Sequence, residues 1–181
     1  MRILLLAIAL LLPGCSWLSS TPLYTPSDAV QPLSAGAYRV AEAANRRTDS
    51  AHVTILDNGL TRVVGGVPHD EEALFGFIAL DAAGRRFLVW QVPEGPAADA
   101  VDAYFYLIAE RSPEGDFLFY VPACEGRNAE LATAAGARIE SDGGRRACLF
   151  ADRTALERAS RDAIFDRDRL LGRFIREPAG H

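Results

Sequence analysis

One pattern recurs four times between residues 53 and 150: a short apolar run, a turn cluster holding glycine, then a second short apolar run. Residues 53–56 and 60–64 flank Asp57-Asn58-Gly59. Residues 74–80 and 87–92 flank a turn around Gly84, and residues 104–109 and 117–121 flank one around Pro113 and Gly115. Residues 138–140 and 147–150 flank Ser141-Asp142-Gly143-Gly144. Asn-Gly is the strongest short hairpin signal, because both residues tolerate positive φ. With a further strand starting at Tyr38, the four hairpins predict an antiparallel meander of about eight or nine strands.

Strand 87–92 places Phe87 and Val89 on one face and Leu88, Trp90 and Val92 on the other. A strand apolar on both faces must be covered on both, by barrel closure, a second sheet or a helix. The expected fold class is therefore α+β, mainly β: a curved sheet or calycin-like barrel with a C-terminal helix. Gly36-Ala37-Tyr38 is similar to the Gly-x-Tyr opening of lipocalin-type barrels. A short helix is expected from Asn128, which can cap, to Ala135. A longer one is expected from a cap at Asp152 or Thr154, with Leu156, Ala159, Ala163, Leu170 and Phe174 near one face, as a lid on the sheet. Residues 97–110 read as a helical turn entering a strand. The hairpins starting at Ile78 and Ile108 share the frame Ile-Ala, turn with Gly, Phe-Leu, bulky pair, Val-Pro.

All 19 basic residues are Arg, so lysine chemistry is excluded: no P-loop lysine, no Schiff base, no lysine general base. The net charge of −5 has the wrong sign for a nucleic-acid binder held by phosphate contacts.

The first residues set a different constraint. Arg2 precedes an uncharged apolar run over residues 3–12, then Pro13, Gly14 and Cys15. Such a run spans about 15 Å as a helix, against roughly 30 Å of hydrocarbon, and fits a secretory signal rather than a membrane span. Leu12-Pro13-Gly14-Cys15 resembles the lipobox of bacterial lipoproteins. The resemblance implies that residues 1–14 are a cleaved signal peptide and that Cys15 carries a diacylglycerol on sulfur and an acyl group on its amine. It also implies palmitate as the acyl source, and membrane attachment through the N-terminal acyl chains. Ser16, where Asp would favour the inner membrane, resembles an outer-membrane address on the periplasmic side. Loss of Arg2 leaves the mature chain one unit more acidic, so its charge alone attracts it to no anionic membrane.

Residues 15–34 are rich in Ser, Thr and Pro, with Asp28 as the one charge, and read as a lipidated flexible tether of roughly 25 Å reach. Residues 35–181 form the single folded domain.

Two cysteines remain, Cys124 and Cys148. In an oxidising compartment they are expected to form a disulfide worth about 3 kcal/mol, and no CxxC spacing supports zinc or redox catalysis. Of three histidines, His181 is terminal, His52 starts a strand, and His69 heads His69-Asp70-Glu71-Glu72 in a turn-rich loop. The loop reads as a solvated acidic segment rather than a cation site, and no cofactor or metal is expected. No catalytic motif is found; the enzyme alternative is a periplasmic hydrolase assembled around His52 or His69. Trp90, Tyr104, Tyr106 and Tyr120 share one sheet face if the two similar hairpins align. They then form either a core or a groove for a small apolar ligand. Arg46-Arg47, Arg85-Arg86 and Arg145-Arg146 lie at turns, available to anionic groups or simply solvated. The functional expectation is a lipid-anchored binding or structural module, its partner an envelope protein or small ligand.

Overall fold

The computed structural model describes residues 16–42, 48–65, 72–92, 103–142, 145–165 and 170–178. All four hairpins are present. They are β3 (Thr48–Ile55) with β4 (Thr61–Gly65), β5 (Glu72–Ala79) with β6 (Arg86–Val92), β7 (Tyr104–Arg111) with β8 (Phe117–Tyr120), and β9 (Arg138–Asp142) with β10 (Arg145–Leu149). In the first turn Asn58 Oδ1 accepts the Leu60 N–H at 3.1 Å and Gly59 takes φ +85°, the left-handed conformation the sequence calls for.

The meander closes. Strand β2 (Gly36–Glu42) pairs with β3, and the order β2-β3-β4-β5-β6-β7-β8-β11 returns to β2, every neighbour antiparallel. The closing strand is β11 (Leu170–Arg176), within the stretch expected as helix. Helix α2 (Arg153–Asp162) begins at Asp152, one of the two expected caps, whose carboxylate accepts the Ala155 N–H at 2.8 Å, but ends at Asp162. Leu170 and Phe174 misled because a four-residue spacing shares a face in a helix and equally in a strand.

Outside the barrel, three strands form a flap. Along one edge of β7, the stretch Ile108–Arg111 pairs with β8, while Tyr104–Tyr106 pairs with β1 (Ser16–Ser19). Strand β1 pairs in parallel with β10, and β10 pairs with β9. Helix α1 (Gly126–Ala135) packs on this flap and on α2. Its N-cap is Glu125, not Asn128, whose side chain instead exchanges hydrogen bonds of 2.9 and 2.8 Å with the backbone of Ile164.

Residues 16–34 are not a tether but part of the body. Trp17 and Ser19 are fully buried in β1. The chain then crosses the outer wall, where Tyr24 is buried, and makes a 3-10 turn at Pro26–Asp28 beside β5. Val30 N–H donates to the Phe77 carbonyl at 2.8 Å, and Leu33 joins the barrel interior. Composition misled because three large apolar side chains, Trp17, Leu23 and Tyr24, find a wall to bury against. Such a segment cannot fold alone yet folds readily onto something else.

Alternation gives the molecule two cores. The barrel interior is filled by Phe77, Phe87, Phe117 and Phe119 among Val40, Val53, Val63 and Val89. The second core lies between the outer wall of β5–β8 and its cover of β1, the strap of residues 20–34, α1 and α2. It holds Ile78, Leu88, Trp90, Tyr106 and Ile108 against Trp17, Tyr24, Phe150 and Leu156. Both faces of β6 are covered, as its sequence requires.

Candidate functional site

The four aromatic residues do share the outer wall. Trp90 and Tyr106 are direct cross-strand partners, Tyr104 lies two residues along β7, and Tyr120 pairs with Ile108. They form no open groove. Trp90 is 4% exposed and Tyr106 2%. Tyr24 of the strap stacks on the indole at 5.0 Å and meets Tyr106 edge-on at 6.3 Å. The Tyr106 hydroxyl shares a 2.7 Å hydrogen bond with Ser19 Oγ, and burial pushes its pKa, like that of Tyr24, upward. Tyr104 packs half-buried at the edge of this core, and Tyr120 stacks on Phe165 at 4.3 Å. Of the two readings, core and groove, this packing is that of a core, covered by the strap.

Cys124 and Cys148 form a disulfide with Cα atoms 5.3 Å apart, both wholly buried, joining the loop before α1 to β10. His52 is exposed on β3, with Ala37 and Val64 as its paired neighbours. His69, His181 and Cys15 lie outside the described residues. Among the described residues no three His, Cys, Asp or Glu side chains gather as a metal site, and no helix is long and apolar enough to cross a membrane.

One cleft draws together polar side chains that the chain keeps far apart. It has a volume of about 760 Å³ and lies at the turn end of the β5–β6 and β7–β8 hairpins, under the C-terminus of α2. Four guanidiniums line it: Arg85, Arg86, Arg111 and Arg161, with the carboxylates of Asp81 and Glu110. Two of the four are held by backbone and ring. Arg86 Nη1 donates to the Arg161 carbonyl and its guanidinium lies over the Phe165 ring at 4.4 Å. Arg111 Nη2 donates to the Pro32 carbonyl at 2.8 Å and lies over Phe117 at 4.9 Å. Asp81 turns one oxygen to the N–H groups of Arg85 and Arg86, so the turn fixes the carboxylate inward on its own backbone. Arg85 and Arg161 are exposed at the rim.

The sequence carried half of this signal. The Arg85-Arg86 pair and the likeness of the two hairpins were both visible; pairing of β6 with β7 sets Arg86 opposite Glu110 and brings Arg111 alongside. Arg161 arrives by tertiary packing of α2, which no local pattern announces. No family model, curated protein or solved structure matches this chain.

Proposed function

We propose that this chain is a bacterial lipoprotein of the outer membrane, facing the periplasm, that acts as a binding module for an anionic group of its ligand or partner. The observation that carries the reading is the arginine cleft. Four guanidiniums against the two carboxylates of Asp81 and Glu110 give this concavity an excess of positive charge in a chain of net charge −5. Guanidinium is the group suited to phosphate, sulfate and carboxylate, through two parallel N–H···O bonds. Carbonyl and ring contacts orient Arg86 and Arg111 beforehand, which reduces the ordering cost on binding. The lipobox supports the envelope address, and the filled barrel favours action at the surface over enclosure of a small apolar molecule.

Titration of the full chain with inorganic pyrophosphate at low ionic strength tests the cleft. Binding is expected, about tenfold weaker in Arg85→Ala, whose side chain is exposed at the rim, and weaker as salt rises. Absence of binding, or equal affinity in Arg85→Ala, contradicts the assignment.

A further inference from the structure

Acylation fixes where the chain is held but not which face of the body meets the bilayer. We propose that Ile164, Leu171 and Arg146 form the surface that seats on the membrane, the two aliphatic side chains entering the interfacial region and the guanidinium meeting lipid phosphate. The inference rests on acylation of Cys15, and its starting point is the absence of slack. One peptide link, spanning about 3.8 Å between successive Cα atoms, joins Cys15 to Ser16. Ser16 is already in the sheet, paired with Ala147. The groups surrounding the start of β1 are therefore held against the headgroups, with no linker between.

Those groups are specific. In the edge of β7, β1 is paired up to Tyr106 and β8 takes over at Ile108, so Tyr120 follows the start of β1 in the same slot. Leu170 pairs with Tyr120, and the Phe165 ring stacks on it. One residue beyond each, Leu171 and Ile164 are 44% and 54% exposed. Leu171 is out because β11 slips register between Leu170 and Gly172, leaving it without a partner in β8. On the other side of β1, Arg146 immediately precedes Ala147 and is exposed. An aliphatic pair and a cation thus bracket the point from which the acyl chains would extend. That is the composition that settles at a membrane interface, apolar side chains inward and a cation at the headgroup level. Net acidity of the chain does not oppose it, because screening confines the interaction to groups within about 10 Å of the surface.

The test uses the full chain, acylated, in vesicles of phosphatidylethanolamine and phosphatidylglycerol. Nitroxide labels are placed by Ile164→Cys, Leu171→Cys and, on β4 across the barrel from β8, Val64→Cys, a position 42% exposed. Labels at 164 and 171 are expected to be severalfold less accessible to a water-soluble relaxant than the label at 64. Leu171→Asp, a change at an exposed bulge, is expected to keep acylation and melting unchanged while opening the label at 164 to water. Palmitate incorporation measured on the same samples separates the two readings. Acylated chain with all three labels equally open overturns the seating surface alone, whereas chain that takes up no palmitate and leaves the vesicles bare overturns the acylation reading and this one with it.

Discussion

Asp28 in the strap and Arg153 in the first turn of α2, 125 residues apart in sequence, meet through a 2.6 Å hydrogen-bonded ion pair. The same guanidinium donates to Glu157 at 2.7 Å and covers the Tyr24 ring at 4.8 Å. One arginine therefore fastens the strap to the helix layer at two points, its carboxylate and its aromatic ring.

This pair gives a pH dependence. The Thr25 backbone N–H first, then the Arg153 and Thr25 side chains, hold the Asp28 carboxyl down to about 2. A depressed carboxyl adds stability above its unfolded pKa of about 3.9 and loses it as pH falls toward the folded value. Asp28→Asn is expected to lower stability at pH 7 by less than about 1 kcal/mol, because solvent screens this partly exposed pair. At pH 2 the variant and the native chain should converge. Urea melts at pH 7, 4 and 2 check both the size and the convergence.

Gly76 and Trp90 are direct partners across β5 and β6, and the indole lies on the bare glycine backbone. A Cβ built at Gly76 would fall 2.1 Å from Trp90 Cζ2, so the rigid ring would have to leave its place under Tyr24. Gly76→Ala is expected to cost about 1–3 kcal/mol or more by overpacking. Thermal melts measure the loss, and a red shift of tryptophan emission would mark the displaced ring. An unchanged melt would show that the wall is looser than its packing implies.

Trp17 makes β1 part of the core. Its ring meets Phe150 at 5.2 Å, and its buried indole N–H has no acceptor among the described residues. Trp17→Ala should therefore cost roughly 3–5 kcal/mol, while Trp17→Phe, which removes an unsatisfied donor along with some volume, should cost much less. Equal, small effects in denaturant melts would return the segment to the status of a free tether.

The Cys124–Cys148 bridge closes a loop of sequence separation 24, for which chain entropy gives about 3 kcal/mol. Both sulfurs are sealed from solvent, so reductant should act only as the body opens. Without reductant, native Cys15→Ala chain should give no reaction with a thiol reagent. With reductant, the melting temperature should fall. A free thiol titrated in native Cys15→Ala chain would contradict the pairing.

What was legible in the sequence was whatever depends on neighbours along the chain. Period-two alternation with Gly59, Gly84 and Gly115 at the turns located the barrel hairpins, and the two candidate caps Asp152 and Thr154 located the start of α2, which is Asp152. The parts that were not legible depend on distant partners. Strand β1 and the strap take their structure from a wall built by β5, β6 and β7, and β11 is a strand because the barrel has a gap between β2 and β8 for it to fill. The aromatic wall was correctly grouped, but its cover came from Tyr24, inside the stretch read as unstructured. The arginine cleft needed three separate segments to converge, of which only the Arg85-Arg86 pair stood out locally.

Intact-mass measurement of the processed protein, purified from the membrane fraction, tests the account most directly. The expected species is a chain starting at Cys15 and heavier than its polypeptide by a diacylglyceryl group and an N-acyl group, with Cys15→Ala lacking both. A mature chain that begins elsewhere and carries no fatty chain would contradict it.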